Sequence, residues 1–241
     1  MAVVRGLATA LFVLAIPLAL IGTNVRVLAN DKHVYDYAFG HYDAPARTGV
    51  SRADLDRAGA ELRSYFNNDQ QYISVQVTRG NREISLFNDR ETLHLHDVKS
   101  VFRFVNHVQE IALVYIMAYV VGVFVWARER PLRTLAAHTL TGALLTIAVI
   151  GSLAIVAATG FDQAFTQFHH IAFSNNLWEL NPATDHLIQM FPEGFWFDIT
   201  MALGVLTVVE AAILAIASAV HLTVSWQAVR HRLLPSHQPA P

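Results

Sequence analysis

Four long apolar stretches, at about 6–28, 108–126, 134–158 and 199–225, limit every fold this chain can adopt. Each approaches or exceeds the ~18 apolar residues at which a membrane helix becomes the default reading. Pro17, Gly22 and Gly151 fall inside them, and both residue types are commoner in membrane helices than in soluble ones. Composition agrees, with 54% of residues hydrophobic and 15% charged, against roughly 25% charged in an average soluble domain. This argues against a soluble enzyme. The net charge of −2 offers nothing to a nucleic acid. With 0 cysteines the chain has no disulfide, thiolate metal site, cysteine nucleophile or lipidated cysteine of its own. The first stretch also fits a signal peptide, since Arg5 precedes it and Val27-Leu28-Ala29 resembles a cleavage site. Its apolar run exceeds the usual ~7–15 residue signal core, which favours an uncleaved helix.

The basic residues orient the spans. Arg5, then Arg128, Arg130 and Arg133, then Arg230 and Arg232 occupy the short segments at one side, which is therefore expected to be cytoplasmic, both termini included. The segment between the third and fourth spans carries Asp162, Glu179, Asp185, Glu193 and Asp198 with no Lys or Arg, and is expected outside. The long segment 29–107 then lies outside too, because loops beyond ~60 residues escape the charge rule. The expected architecture is a mainly α membrane protein with a helix at 1–28, a small α+β extracytoplasmic domain at 29–107, and spans two and three with their cytoplasmic loop at 108–158. An aromatic outer loop at 159–198 and the fourth span with its tail at 199–241 complete it.

Within 29–107, Ser51-Arg52-Ala53-Asp54 resembles a capping box, and Leu55, Leu62, Tyr65 and Phe66 continue an amphipathic helix. Alternating runs at 72–77 and 83–87, separated by Thr78-Arg79-Gly80-Asn81-Arg82, predict a β-hairpin. Asn88 with Glu91 three residues on predicts the start of another helix, running through Phe104 toward the second span. The second outer segment reads as irregular and aromatic, from Phe161 to Trp178 and on to Trp196. Phe and Trp at this density suit the headgroup layer.

Two concentrations of polar groups can carry chemistry. Arg90, His94 and Asp97 stand at i, i+4 and i+7 and share one helix face. A carboxylate near an imidazole can fix its tautomer and raise its basicity, although such a face is equally a run of ordinary helical charge pairs. His169-His170 with Ser174-Asn175-Asn176 could supply a base and hydrogen-bond donors for an oxyanion, or simply satisfy the backbone of an interfacial loop. His94, His96, His169 or His170 with Asp97 could also hold zinc or copper, but His-x-His and His-His are not specific and no HExxH is present. Glu110 and Glu210 fall within the spans. An acid at the depth of Glu210 is either functional or a protonated group bonded between helices.

The strings Phe87-Asn88-Asp89-Arg90-Glu91-Thr92-Leu93-His94-Leu95-His96-Asp97-Val98-Lys99 and Phe168-His169-His170-Ile171-Ala172-Phe173-Ser174-Asn175-Asn176-Leu177-Trp178, followed by Asn181-Pro182-Ala183-Thr184-Asp185, resemble the bacterial lipoprotein intramolecular transacylases. The resemblance runs through nearly the whole chain in order. It implies a cofactor-free acyltransferase of the bacterial cytoplasmic membrane, working at the outer leaflet on diacylglyceryl-modified lipoproteins among membrane lipids. Its reaction moves the sn-2 acyl chain onto the α-amine of the lipid-bearing cysteine and leaves a lyso-form lipoprotein. The functional histidines of such enzymes correspond to His94 and His169, whereas His170 stands where many relatives carry an acid.

On this reading His169 is the principal base and His94 a second proton carrier oriented by Asp97, with Arg90 in the catalytic group. Asn88, Glu91, Lys99, Ser174, Asn175, Trp178 and Asp185 are expected to bind substrate or oxyanion, Glu91 and Lys99 by supporting the helix; no metal ligand is assigned. The competing readings are a non-enzymatic or hydrolytic membrane protein holding lipid or metal in an outer histidine-lined cleft, and a transporter centred on Glu210.

Overall fold

The computed structural model describes residues 2–80, 82–126 and 131–233; Asn81, expected in the hairpin turn, and Arg128 and Arg130, expected in a cytoplasmic loop, lie outside them. The protein is mainly α-helical, with four helices long and apolar enough to cross a membrane and, among the described residues, one two-stranded sheet. The elements in chain order are α1 (Ala2–Asn30), α2 (Lys32–His41), α3 (Ala44–Thr48), α4 (Arg52–Phe66), β1 (Gln76–Arg79), β2 (Arg82–Ser85), α5 (Asp89–Trp126), α6 (Pro131–Ala172), α7 (His186–Met190) and α8 (Glu193–Leu233).

The long helices overrun their apolar windows. The 38 residues of α5 span about 57 Å at ~1.5 Å per residue, nearly twice the ~30 Å hydrocarbon core. Its first two turns are charged and only its second half is continuously apolar. The chain divides accordingly into two compact units, one of Met1–Ile21, Val108–Gly151 and Val205–Pro241, the other of Gly22–His107 and Ser152–Gly204.

The first unit is a bundle of apolar helix segments packed through small residues. Ala15, Ala19 and Ala112 form one buried cluster, and Ala143, Ala211 and Ala215 another. Water expulsion drives nothing between helices in lipid, so close backbone approach and polar contacts hold such bundles. Gly142 shows how close the approach is: a Cβ there would stand 2.5 Å from Ile16 Cδ1 and 3.1 Å from the Val13 carbonyl. Tyr119 hydroxyl bonds Thr9 Oγ1 at 2.9 Å and His138 Nδ1 at 2.9 Å, and Tyr115 donates to the Ala8 carbonyl at 2.9 Å. Val114, Met117, Val121, Ile213 and Val220 point outward, as lipid-facing residues do.

The second unit has a hydrophobic core of its own, in which Phe39, Leu55, Leu62, Tyr65, Val75, Val77, Leu86 and Met190 are essentially fully buried. Each such side chain contributes roughly 1.5–3 kcal/mol by leaving water. Helix α4 begins as expected, with Ser51 Oγ accepting from the Asp54 amide at 3.1 Å. The capping box of α5 is reciprocal: Asn88 Oδ1 accepts from the Glu91 amide at 2.9 Å and Glu91 Oε2 from the Asn88 amide at 2.8 Å.

Elsewhere the structure departs from the sequence pattern. The hairpin is shifted from the expected runs at 72–77 and 83–87: its strands are Gln76–Arg79 and Arg82–Ser85, with Thr78 and Arg79 paired to Glu83 and Arg82. Gly80 takes φ +65°, which a side chain would oppose. The aromatic segment expected to be irregular is helical to Ala172, bent at Gly160. Its aromatic spacing is helical, and Phe161 stacks on Phe165 one turn later with centroids 5.6 Å apart. Helices α2, α3 and α7 were not legible in the sequence; they are short and mixed in character, α2 being capped by Asp31 onto the His33 amide.

Candidate active site

Two imidazoles meet inside the second unit. His94 comes from the second turn of α5 and His169 from the last turn of α6, with ring centroids 6.2 Å apart. Both residues are 7% exposed. The walls are aromatic: Phe173 lies edge-on to His94 at 5.2 Å, Phe165 lies 4.4 Å from the His169 ring, and Trp178 covers His169 at 4.8 Å with planes 34° apart.

The two histidines are held differently. His169 Nδ1 lies 2.7 Å from the Phe165 carbonyl, one helical turn back. A carbonyl only accepts, so Nδ1 carries the hydrogen and Nε2 keeps its lone pair. His94 Nδ1 is buried and has no hydrogen-bond partner among the described residues. Burial, together with the neighbouring His169, pushes the His94 pKa down to about 4. Burial also lowers that of His169. Both rings are therefore neutral at physiological pH, as proton acceptors must be.

Arg90, His94 and Asp97 do share one face, and that face grips the segment after α6. Arg90 donates to the carbonyls of Asn176 and Leu177. Asp97 Oδ2 accepts from Asn175 Nδ2 at 2.8 Å, and Asn175 Oδ1 accepts from the Leu177 amide at 3.0 Å. The expectation that Asp97 orients His94 is not met by a hydrogen bond: the partners of Asp97 are Asn175 and, at 3.7 Å, His96. Ser174 is exposed at the start of this segment.

Glu91 and Asp185 belong to a second polar cluster, joined through Asn88. Glu91 is 0% exposed, and its Oε1 accepts from the Leu187 amide at 2.6 Å while Oε2 caps α5. Burial raises its pKa, but the two amide bonds oppose that. Asp185 accepts from Asn88 Nδ2 at 3.1 Å and from the Asn181 amide at 2.7 Å. A polar cavity of about 380 Å³ lies beside this cluster, lined by Leu86, Asn88, Glu91, Thr184 and His186 among others. Lys99 points the other way: its buried ammonium donates to Asn68 Oδ1 at 3.2 Å and the Gln70 carbonyl at 2.7 Å, 4.0 Å from the Tyr65 ring centroid. Among the described residues, no group of three His, Asp or Glu side chains is placed to hold a metal ion.

Sequence reasoning missed the partner of His169, because it read 161–172 as irregular and so had no i−4 carbonyl to offer. It also missed Phe165 and Phe173 as walls of the site, although their spacing from His169 was the available signal.

Residues 10–196 match the family model described as lipoprotein intramolecular transacylase Lit. A protein of Aquifex aeolicus (strain VF5), described as uncharacterized, is 24% identical over 207 residues, covering 84% of this chain and 89% of its own. The structure of the lipoprotein intramolecular transacylase Lit from Bacillus cereus has a TM-score of 0.77 at 18% identity, over 95% of this chain and 100% of that one. A second structure of that protein, carrying a histidine-to-alanine substitution, gives 0.73 at 17% identity, over 94% and 97% of the two chains. At these identities the likeness establishes a common fold.

Proposed function

Because the chain belongs to the lipoprotein intramolecular transacylase family, we propose that it moves the sn-2 acyl chain of a diacylglyceryl-cysteine lipoprotein onto that cysteine's α-amine. The observation that carries this reading is a pair of buried, neutral imidazoles 6.2 Å apart in an aromatic enclosure. The α-amine, with an ordinary pKa near ~8, must lose a proton to attack, and an imidazole whose lone pair is free can take it. His169 Nε2 is that acceptor, fixed by the bond from Nδ1 to Phe165.

The bonds balance without any co-reactant. The amine nitrogen forms a bond to the acyl carbon, the amine proton passes to His169, and the tetrahedral intermediate breaks its bond to the glyceryl oxygen. That oxygen takes a proton from His94, the second carrier, and the proton held by His169 then passes to His94, so both imidazoles end neutral and no proton is gained or lost. Ester and amine belong to one molecule, so positioning alone can supply much of the acceleration and no acyl-enzyme is needed.

Arg90, Asp97 and Asn175 act here as positioning residues, since their polar atoms fasten the 174–177 segment over α5. Glu91 and Asp185 seat α5 and the turn before α7. The protein is a multi-pass membrane protein, and the basic residues at Arg5 and Arg133 support a reading with cytoplasmic termini and the histidine pair on the outer side.

The test uses purified protein in detergent with a synthetic diacylglyceryl-cysteine peptide. Transfer conserves mass, so the readouts are loss of the amine-reactive terminus and tandem mass spectra placing an acyl group on nitrogen. A peptide that keeps its free amine, or that loses a fatty acid by hydrolysis to leave a lysolipopeptide with a free amine, would sink the assignment.

A further inference from the structure

We propose that the indole N–H of Trp178 is the oxyanion donor of this site; the inference rests on the acyl-transfer reading above. When the amine attacks, the acyl carbonyl oxygen gains nearly a full negative charge and needs a donor already aimed at it. Of the polar side chains that the sequence offered for this task, Ser174 is exposed outside the histidine enclosure, and the others are committed elsewhere. Arg90 donates to the carbonyls of Asn176 and Leu177, Asn88 Nδ2 to Asp185 at 3.1 Å, and Asn175 Nδ2 to Asp97 at 2.8 Å. Lys99 donates to Asn68 and Gln70 on another side of the unit.

Two buried side-chain atoms of the site lack a partner among the described residues, His94 Nδ1 and Trp178 Nε1. Leaving a buried donor unsatisfied costs roughly 1–3 kcal/mol, a cost that disappears if its acceptor arrives with the substrate. The reaction brings two oxygens into the site, the glyceryl ester oxygen and the acyl carbonyl oxygen. His94 already serves the first. The second is left for Trp178, whose ring lies 4.8 Å from that of His169, the base that activates the nucleophile. Indole nitrogen only donates and holds its hydrogen, so it stabilises an oxyanion without entering the proton balance.

The position of the indole is set before substrate binds. Arg90 holds the carbonyl of Leu177, the residue before Trp178, and Asn175 holds its amide. The carbonyl of Trp178 itself accepts from the Leu180 amide at 2.8 Å. A donor fixed on both sides by backbone bonds need not reorganise in the transition state.

Trp178→Phe removes the N–H and keeps an aromatic ring over His169. With the synthetic diacylglyceryl-cysteine peptide, the expected result is a fall of about 10²–10³ in kcat, the magnitude for losing one oxyanion donor. KM should stay within a few-fold and the thermal midpoint should match wild type. Independently, the Trp178 indole resonance of ¹⁵N-labelled wild-type protein should move downfield on binding a phosphonate analogue of the sn-2 ester. If the variant does not fold, the resonance is assigned by replacing Trp126, Trp196 and Trp226 instead. Wild-type turnover matched by Trp178→Phe, or an indole resonance unmoved at saturating analogue, overturns this assignment alone. Absence of turnover by the wild-type chain overturns the acyl-transfer reading and this assignment together.

Discussion

Replacing His94 by Gln should remove a defined part of the protein's sensitivity to acid. The His94 pKa is about 4 in the folded protein, against ~6.5 for an unperturbed histidine. Between those values the unfolded chain binds a proton that the folded one refuses, so stability rises with pH across the window and is lost as pH falls through it. Integrating the difference gives a loss of about 2 kcal/mol at pH 5 and about 3 kcal/mol at pH 4. The conversion is meaningful because the side chain is 7% exposed. At roughly 2–4 °C per kcal/mol for a chain of this size, the midpoint should drop by about 4–8 °C between neutral pH and pH 5 on account of His94 alone. His169 adds loss of the same sign, since burial lowers its pKa too. The assay is the thermal midpoint of wild type and His94→Gln in the same detergent at about pH 7.5 and pH 5. The variant should show the smaller difference between the two conditions, by about 4–8 °C. Equal acid sensitivity in both proteins would refute the claim that His94 is held neutral by burial.

Three other substitutions test the supports of the site. Asp97→Ala leaves the Asn175 amide without its acceptor. It should cost about 1–3 kcal/mol and raise hydrogen exchange across 174–178, while the thermal midpoint still shows a folded protein. Glu91→Gln turns an acceptor of two backbone amides into a group with one acceptor and one donor facing an N–H. Denaturation in detergent should read a loss of about 2 kcal/mol or more, larger than for Glu83→Gln, whose side chain is exposed on β2. Gly142→Leu inserts a branched side chain where a single Cβ already meets Ile16 at 2.5 Å. It should lower the midpoint of the whole protein, with Gly151→Leu, where a Cβ meets nothing, as the tolerated control.

The parts of the fold legible in the sequence were those governed by one strong local force. Apolar length marked the four membrane helices, and the Asn88 to Glu91 spacing marked the start of α5 because a capping box is satisfied within four residues. The hairpin was legible in kind but misplaced, since its strands, Gln76–Arg79 and Arg82–Ser85, pair across residues the pattern had assigned to the turn, while 72–75 stay outside the ladder. Residues 161–172 were misread because aromatic density signals an interface, while the helical recurrence of Phe161, Phe165 and Phe168 is easily lost in it. At the site, residue identity carried His94 and His169, but the partners of Arg90, Asp97 and Lys99 depend on segments 68–70 and 175–177 that only tertiary structure brings near. The unsatisfied nitrogens of His94 and Trp178 lie beyond any reading of sequence, because an absent partner has no signature in the chain.

The most direct measurement is the N-terminal chemistry of a lipoprotein made in a host that lacks other lipoprotein N-acylating activity. With the wild-type chain expressed, tandem mass spectrometry of the lipopeptide should show one acyl group on the cysteine nitrogen and one on glycerol. His94→Ala and His169→Ala, present at equal levels in the membrane, should leave the diacylglyceryl form with its free amine. A free amine with the wild-type chain, or N-acylation undiminished in both variants, would contradict the account.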